Sequence, residues 1–288
     1  METAAKAPPS TDPATMRLNF GCRPPSGTST AVLLLLVLAV AGCDSHEESR
    51  ALYRKGQALW EAGQHHDAAR AYLTLAEAHA DSPFAEDSLF WAANLYDYFL
   101  DDIELAERYY RQLLVRFPEG DRHFEAMENL ARLYELNDPS RYKAVLMYKK
   151  LHATPALAAR QDYFQFKIAQ VYLELGKLDQ ARFELRNIIA EHPHSPLLPE
   201  VYYLVGYSYY REGRKPLAVV AFNQIGKDFP DAPMAPRGRF FVADILEEEG
   251  LLREALKVYE SLQGKYHNAA ILQKRIITLK GRMGRSVR

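Results

Sequence analysis

The sequence predicts an all-α fold, an α-solenoid of about six helix–turn–helix repeats. Three observations carry this. From Ser49 onward apolar residues recur at helical spacing, with no strand-like alternation. One alanine returns in a similar setting at Ala68, Ala106, Ala144, Ala181, Ala218 and Ala255, with successive separations of 38, 38, 37, 37 and 37 residues. Other residue types keep fixed offsets around it, so the whole unit repeats and not the alanine alone.

Composition narrows the function classes. Apolar residues make up 48 % and charged residues 25 % of 288, an ordinary globular balance. The formal net charge of −1 creates no global field for nucleic acid, and none is expected as a partner. The two cysteines, Cys22 and Cys43, both precede residue 44. The remainder therefore has neither a disulfide framework nor a thiolate metal site.

The N-terminus reads as an address. Ala31 to Ala41 is an uninterrupted apolar run of 11 residues. That is too short for a membrane span of about 20 helical residues but fits a signal-peptide core of about 7–15. Arg17 and Arg23 precede it with no acid between Met16 and Ala31, and Val40-Ala41-Gly42-Cys43 ends it. This resembles the lipobox of bacterial lipoproteins. The resemblance implies cleavage before Cys43 and a diacylglyceryl thioether with an N-acyl chain on that residue, the only cofactor-like group expected. A buried hydrophobic helix ending in Gly-Cys is the alternative. Residues 1–42 are then a signal peptide, for which Met16 is a more conventional start than Met1. Residues 43–48 form the lipidated cysteine and a short linker. Asp44 resembles the inner-membrane retention signal of enteric bacteria, which leaves inner or outer membrane open.

The offsets within the repeat have physical meaning. Five residues before four of the alanines stands Gly63, Gly176, Gly213 or Gly250, suited to the left-handed residue that ends a helix. Twelve before stand the small residues Gly56, Ala169, Gly206 and Ala243, with Asn94 and Arg132 in the other two repeats. Small residues let the paired helices approach, and a large residue four after the alanine is expected to wedge between neighbouring units: Tyr72, Tyr110, Tyr148, Leu185, Phe222 and Tyr259. Pro118, Pro193 and Pro230, twelve after, stop the second helix.

This pattern resembles the tetratricopeptide repeat over about residues 49–266, with units near 49–82, 87–120, 125–158, 162–195, 199–232 and 236–267. The longer period and turns such as Phe229-Pro230-Asp231-Ala232-Pro233 resemble the envelope subgroup, which includes the outer-membrane assembly lipoprotein BamD and the Tol–Pal-associated YbgF type. Repeat three is the weakest copy: Asp138-Pro139 replaces the glycine turn, with Asp138 an N-cap candidate, and a bend after this repeat is expected. Residues 268–288 should form a capping helix, from Asn268 to Lys280, and a basic tail. From Lys265 to Arg288 there are seven Lys/Arg and no acid. The tail is read as a soluble cap or as a contact to anionic lipid or an acidic partner.

No catalytic constellation is present: the repeats contain no GxSxG, no HExxH and no glycine-rich phosphate loop. His65-His66 and the His192/His194 pair are read as exposed turn residues, and Asp101-Asp102-Ile103-Glu104 and Glu247-Glu248-Glu249 as solvated faces. The binding candidates are aromatic. Tyr53, Trp91, Phe166, Tyr203 and Phe240 stand three before the small slot, and Trp60, Tyr98 and Tyr210 four after it. With Tyr207 these would line the concave groove that the resemblance implies, with Arg211 and Glu174 beside them. Packing between adjacent helices is the competing reading of the same rings. The expected function is a lipid-anchored, non-enzymatic scaffold at the periplasmic face of a Gram-negative envelope, binding envelope proteins or their peptides. A Tol–Pal-style adaptor and a cell-wall enzyme are the alternatives.

Overall fold

The computed structural model describes residues 30–137 and 141–285, with side chains between 46 and 284. The leader up to residue 29, the Cys43 side chain and the Asp138-Pro139 turn lie outside the described residues. All described elements are helical. They fall into two compact units, Met1–Pro139 and Ser140–Arg288. The first holds α1 (Thr30–Glu61), α2 (His65–Ala78), α3 (Ala85–Tyr98), α4 (Ile103–Arg116) and α5 (His123–Asn137). The second holds α6 (Tyr142–His152), a 3-10 segment (Pro155–Arg160), α7 (Gln161–Glu174), α8 (Leu178–Glu191) and α9 (Leu198–Arg211). It continues with α10 (Lys215–Asp228), α11 (Met234–Glu248), α12 (Leu252–Ser261) and α13 (Ala269–Arg285). Among the described residues, no helix is long and apolar enough to cross a membrane.

In repeats one and five the two helices of the hairpin close at one notch. All six phased alanines are fully buried, and so are the six large residues four places later. A Cβ added at Gly56 would lie 2.6 Å from the Tyr72 ring, and one at Gly206 would lie 2.7 Å from Phe222. In these two repeats the large side chain seats in the notch of its own repeat, a contact beyond the expected wedge between units. Phe222 also stacks on Phe241 of the next helix pair, with centroids 5.2 Å apart. Gly63 and Gly213 hold φ of +72° and +78°, as their slot requires. In repeat two the same slot is Asp101, at φ +53°, followed by Asp102, whose carboxylate accepts the Leu105 amide at 3.0 Å to cap α4.

Three expectations are corrected. The short linker at 43–48 is helical, because α1 runs unbroken through it, and the His46 ring meets Phe84 at 5.8 Å. The division expected after repeat three falls inside it: α5 belongs to the first unit and α6 to the second. Arg132 fills the slot that is glycine or alanine in four other repeats, so α5 offers no notch for a large ring. Finally, Glu247 does not sit on a solvated face; it pairs with Arg275 (3.8 Å) and Arg282 (2.5 Å) of α13. That helix caps the second unit by burying Leu272, Ile276 and Leu279, and it extends five residues beyond the expected end. Asn268 accepts the Ile271 amide at its start, at 3.0 Å.

Candidate functional site

The nine candidate rings separate into two groups. Tyr53, Trp60, Trp91, Phe166 and Phe240 are buried. Tyr53 stacks on Phe84 at 5.2 Å, and Trp60 meets Trp91 edge-on at 5.7 Å. Phe166 belongs to the core shared by α7 to α11, and Phe240 stacks on Tyr266 at 4.5 Å. Their faces are used by neighbouring helices because a large ring at the helix–helix seam gains most by leaving water. As groove residues these five are replaced by the packing reading. His65, expected in an exposed turn, lies 4.4 Å from Phe99 and opens α2.

Tyr98, Tyr203, Tyr207 and Tyr210 remain half-buried. In the first unit the Arg132 guanidinium covers the Tyr98 ring at 4.4 Å. In the second unit the other three converge. Helical spacing puts Tyr203 and Tyr207 one turn apart on α9, their rings parallel to within 4° at 6.4 Å. Phe241 of α11 meets Tyr203, Tyr207 and Tyr210 edge-to-face at 5.8, 6.0 and 5.5 Å. Two guanidiniums flank the set, Arg237 at 5.7 Å from the Tyr203 ring and Arg211 at 5.9 Å from Tyr207. Arg211 is itself held by donating to the Leu173 carbonyl at 2.9 Å. Glu174 pairs with Arg141 at 3.1 Å and takes no part.

The polar edge of this face is fixed as well. The Tyr210 hydroxyl donates to the Glu248 carboxylate, which Lys215 also reaches at 2.9 Å. The acceptor bond to Glu248, with burial second, pushes the Tyr210 phenol up to about 12. The same bond, with that of Lys215, lowers the Glu248 carboxyl below its ordinary value. Burial raises the Tyr203 phenol. The result is a row of half-buried amphipathic rings between two cations, suited to gripping a peptide or protein surface. Among the described residues, no group of three or more His, Cys, Asp and Glu converges as a metal site would require.

Phe241 and Arg237 were absent from the sequence candidates, because neither occupies a repeating slot. The Phe240-Phe241 doublet was the available signal: consecutive helical residues point about 100° apart, so one ring goes to the core and the next to this face.

Comparison with known proteins agrees with the helical repeat fold. Models described as "Tetratricopeptide repeat" match residues 53–97 and 166–233, and residues 87–120. No curated protein matches the chain in sequence. A solved tetratricopeptide repeat protein from Parabacteroides merdae ATCC 43184 is 16 % identical, with a TM-score of 0.56 over 84 % of this chain and 87 % of that one. PilW, described as a widely conserved type IV pilus biogenesis factor, is 16 % identical, with a TM-score of 0.50 over 78 % and 97 %. The chain carries the tetratricopeptide-repeat fold.

Proposed function

We infer that this chain is a lipid-anchored scaffold of a Gram-negative cell envelope that holds protein partners against the face shared by α9 and α11. The observation that carries the binding half is the cluster of Tyr203, Tyr207, Tyr210 and Phe241: four half-buried rings, locked by one another and flanked by Arg211 and Arg237. Rings held in place before binding lose little entropy on contact, which is what a recognition surface needs. The repeat fold supports the same reading, since protein binding is the general work of such arrays. The anchoring half rests on the leader and on Val40-Ala41-Gly42-Cys43. A diacylglyceryl thioether and an N-acyl chain on Cys43 supply enough buried methylene for stable attachment. We place the protein at the periplasmic face of the outer membrane, with a role in envelope protein assembly. An inner-membrane address through Asp44 is the competing outcome of fractionation.

Two measurements test the two halves. Radiolabelled palmitate should enter the wild-type chain and not Cys43→Ala; equal labelling of both removes the anchor. The tagged full chain, cross-linked in cells and purified, should bring down envelope proteins that Tyr203→Ala with Tyr207→Ala loses at unchanged helicity. Barrel-assembly subunits support the assembly role, Tol or Pal components redirect it to cell division, and an unchanged set of partners refutes the binding face.

A further inference from the structure

The outward faces of α6, α8 and α10 carry a feature that the face on α9 and α11 leaves unused. Two residues after each phased alanine, the six repeats present Arg70, Arg108, Leu146, Phe183, Val220 and Lys257. At the three consecutive positions in the second unit, a cation gives way to an apolar side chain. Leu146, Phe183 and Val220 are 59 %, 63 % and 63 % exposed. Their equal spacing of 37 residues places them in one register across three helices. Tyr142 and Leu217, also exposed, widen the stripe on its N-terminal side. A row of exposed apolar side chains in repeat register is a contact surface, unlike single exposed residues scattered at random.

The C-terminal border of the stripe is polar in a specific way. One turn further along, α6 presents Lys149 and Lys150, α8 presents Arg186 and Asn187, and α10 presents Asn223 and Gln224. Three are cations, three are amides and none is a carboxylate. The acids nearest Phe183 are already engaged: Asp179 pairs with Arg182, and Glu184 accepts from Gln165 at 3.2 Å. Arg186 is steadied by donating to the Tyr209 hydroxyl, and Lys149 lies 5.7 Å from the Tyr172 ring. The surface thus has an apolar edge on all three helices, bordered by cations on α6 and α8 and by amides on α10, where Gln224 donates to Asp228 at 2.6 Å.

We propose that this face is a second docking surface, and that its occupant is an acidic amphipathic segment of a protein partner. Laid across α6, α8 and α10, such a segment puts its apolar side chains on Leu146, Phe183 and Val220 and its carboxylates on Lys149, Lys150 and Arg186. The amides of Asn187 and Asn223 favour a peptide over a bilayer, because they reward directional partners that lipid headgroups do not fix. The proposal does not depend on what binds the α9–α11 face.

The test uses the full chain in its own cells, with a benzophenone amino acid replacing Phe183. Irradiation should yield an adduct whose peptide, read by mass spectrometry, comes from another protein and carries apolar residues at helical spacing beside Asp or Glu. Lys149→Glu with Arg186→Glu should lower the yield about tenfold, the scale of losing a hot spot, whereas Tyr207→Ala should leave it unchanged. Leu146→Ser with Val220→Ser should lower it equally while circular dichroism and melting stay as in wild type, since both side chains are solvent-facing. An adduct to a second copy of this chain, a peptide without acidic residues, or no adduct would overturn the proposal. So would binding of the purified chain to phosphatidylglycerol–phosphatidylcholine vesicles that Leu146→Ser with Val220→Ser abolishes.

Discussion

Arg132 of α5 reaches back to α3, where its guanidinium pairs with the Asp97 carboxylate and lies 4.4 Å from the Tyr98 ring. Asp97 also accepts the Tyr110 hydroxyl at 3.2 Å, so one carboxylate joins α3, α4 and α5. Its side chain is 5 % exposed and that of Arg132 is 26 %. Removing one partner leaves a desolvated charge, which typically costs about 3–5 kcal/mol. With the guanidinium partly hydrated, Asp97→Ala is expected to cost on the order of 2–3 kcal/mol. Asp97→Leu with Arg132→Leu should recover most of that loss. Urea melts of wild type and the two variants check this; a single substitution costing less than about 0.5 kcal/mol would make the pair no stronger than a surface one.

The same carboxyl sets a pH dependence of defined sign. Burial raises the Asp97 carboxyl by more than Arg132 and Tyr110 lower it. The native state therefore holds this proton to higher pH than the unfolded chain does. Stability from this site is fullest below the ordinary aspartate value of about 3.9 and declines as pH rises towards the raised native value. In Asp97→Asn that decline is absent. The stability difference, wild type minus variant, should shrink with rising pH across this window and then level off. Melting both proteins from acid to neutral pH measures it, and a difference that grows with pH contradicts the assignment.

Three glycines separate three physical effects. At Gly206 a methyl group would meet the Phe222 ring at 2.7 Å, so Gly206→Ala should cost about 1–3 kcal/mol through overpacking. At Gly213 nothing lies within 4 Å but φ is +78°, so Gly213→Ala should cost roughly 1–2 kcal/mol through backbone strain alone. Gly226 lies within α10 with open space around it, and Gly226→Ala should stabilise by roughly 0.5–1 kcal/mol. Gly206→Ala or Gly213→Ala melting at or above wild type would show that the notch or the turn, respectively, is misassigned.

The fold was legible because its determinants repeat. All six alanines and all six large partners are buried as their spacing required. What repetition could not reveal are the positions where one residue type performs another's task. Asp101 takes a left-handed conformation that glycine takes elsewhere, which asparagine-like side chains tolerate. Arg132 replaces a small residue and turns its slot into an ion-pair site. The binding rings were legible only by class, since periodicity places a ring on a helix face without telling whether a neighbouring helix covers it. Tyr53 and Tyr203 hold the same slot, yet Phe84 stacks on the first and leaves it buried, while the second stays half-buried. Phe241, outside every slot, was invisible for the converse reason.

Phe240 and Tyr207 test that division between core and surface in one experiment. Phe240 is buried, stacked on Tyr266 at 4.5 Å and edge-on to Tyr259 at 5.4 Å, so it fastens α11 to the capping end of the second unit. Phe240→Ala removes a buried ring and leaves a cavity, for an expected loss of about 3–5 kcal/mol. Tyr207 is half-buried and touches Phe241 from outside, so Tyr207→Ala should cost less than about 1 kcal/mol, as surface substitutions do. Partner capture should show the reverse ranking when each variant is assayed well below its own melting temperature: Phe240→Ala keeps partners that Tyr207→Ala loses. If Tyr207→Ala unfolds the chain as readily as Phe240→Ala, its ring is part of the core and the recognition face on α9 and α11 has to be abandoned.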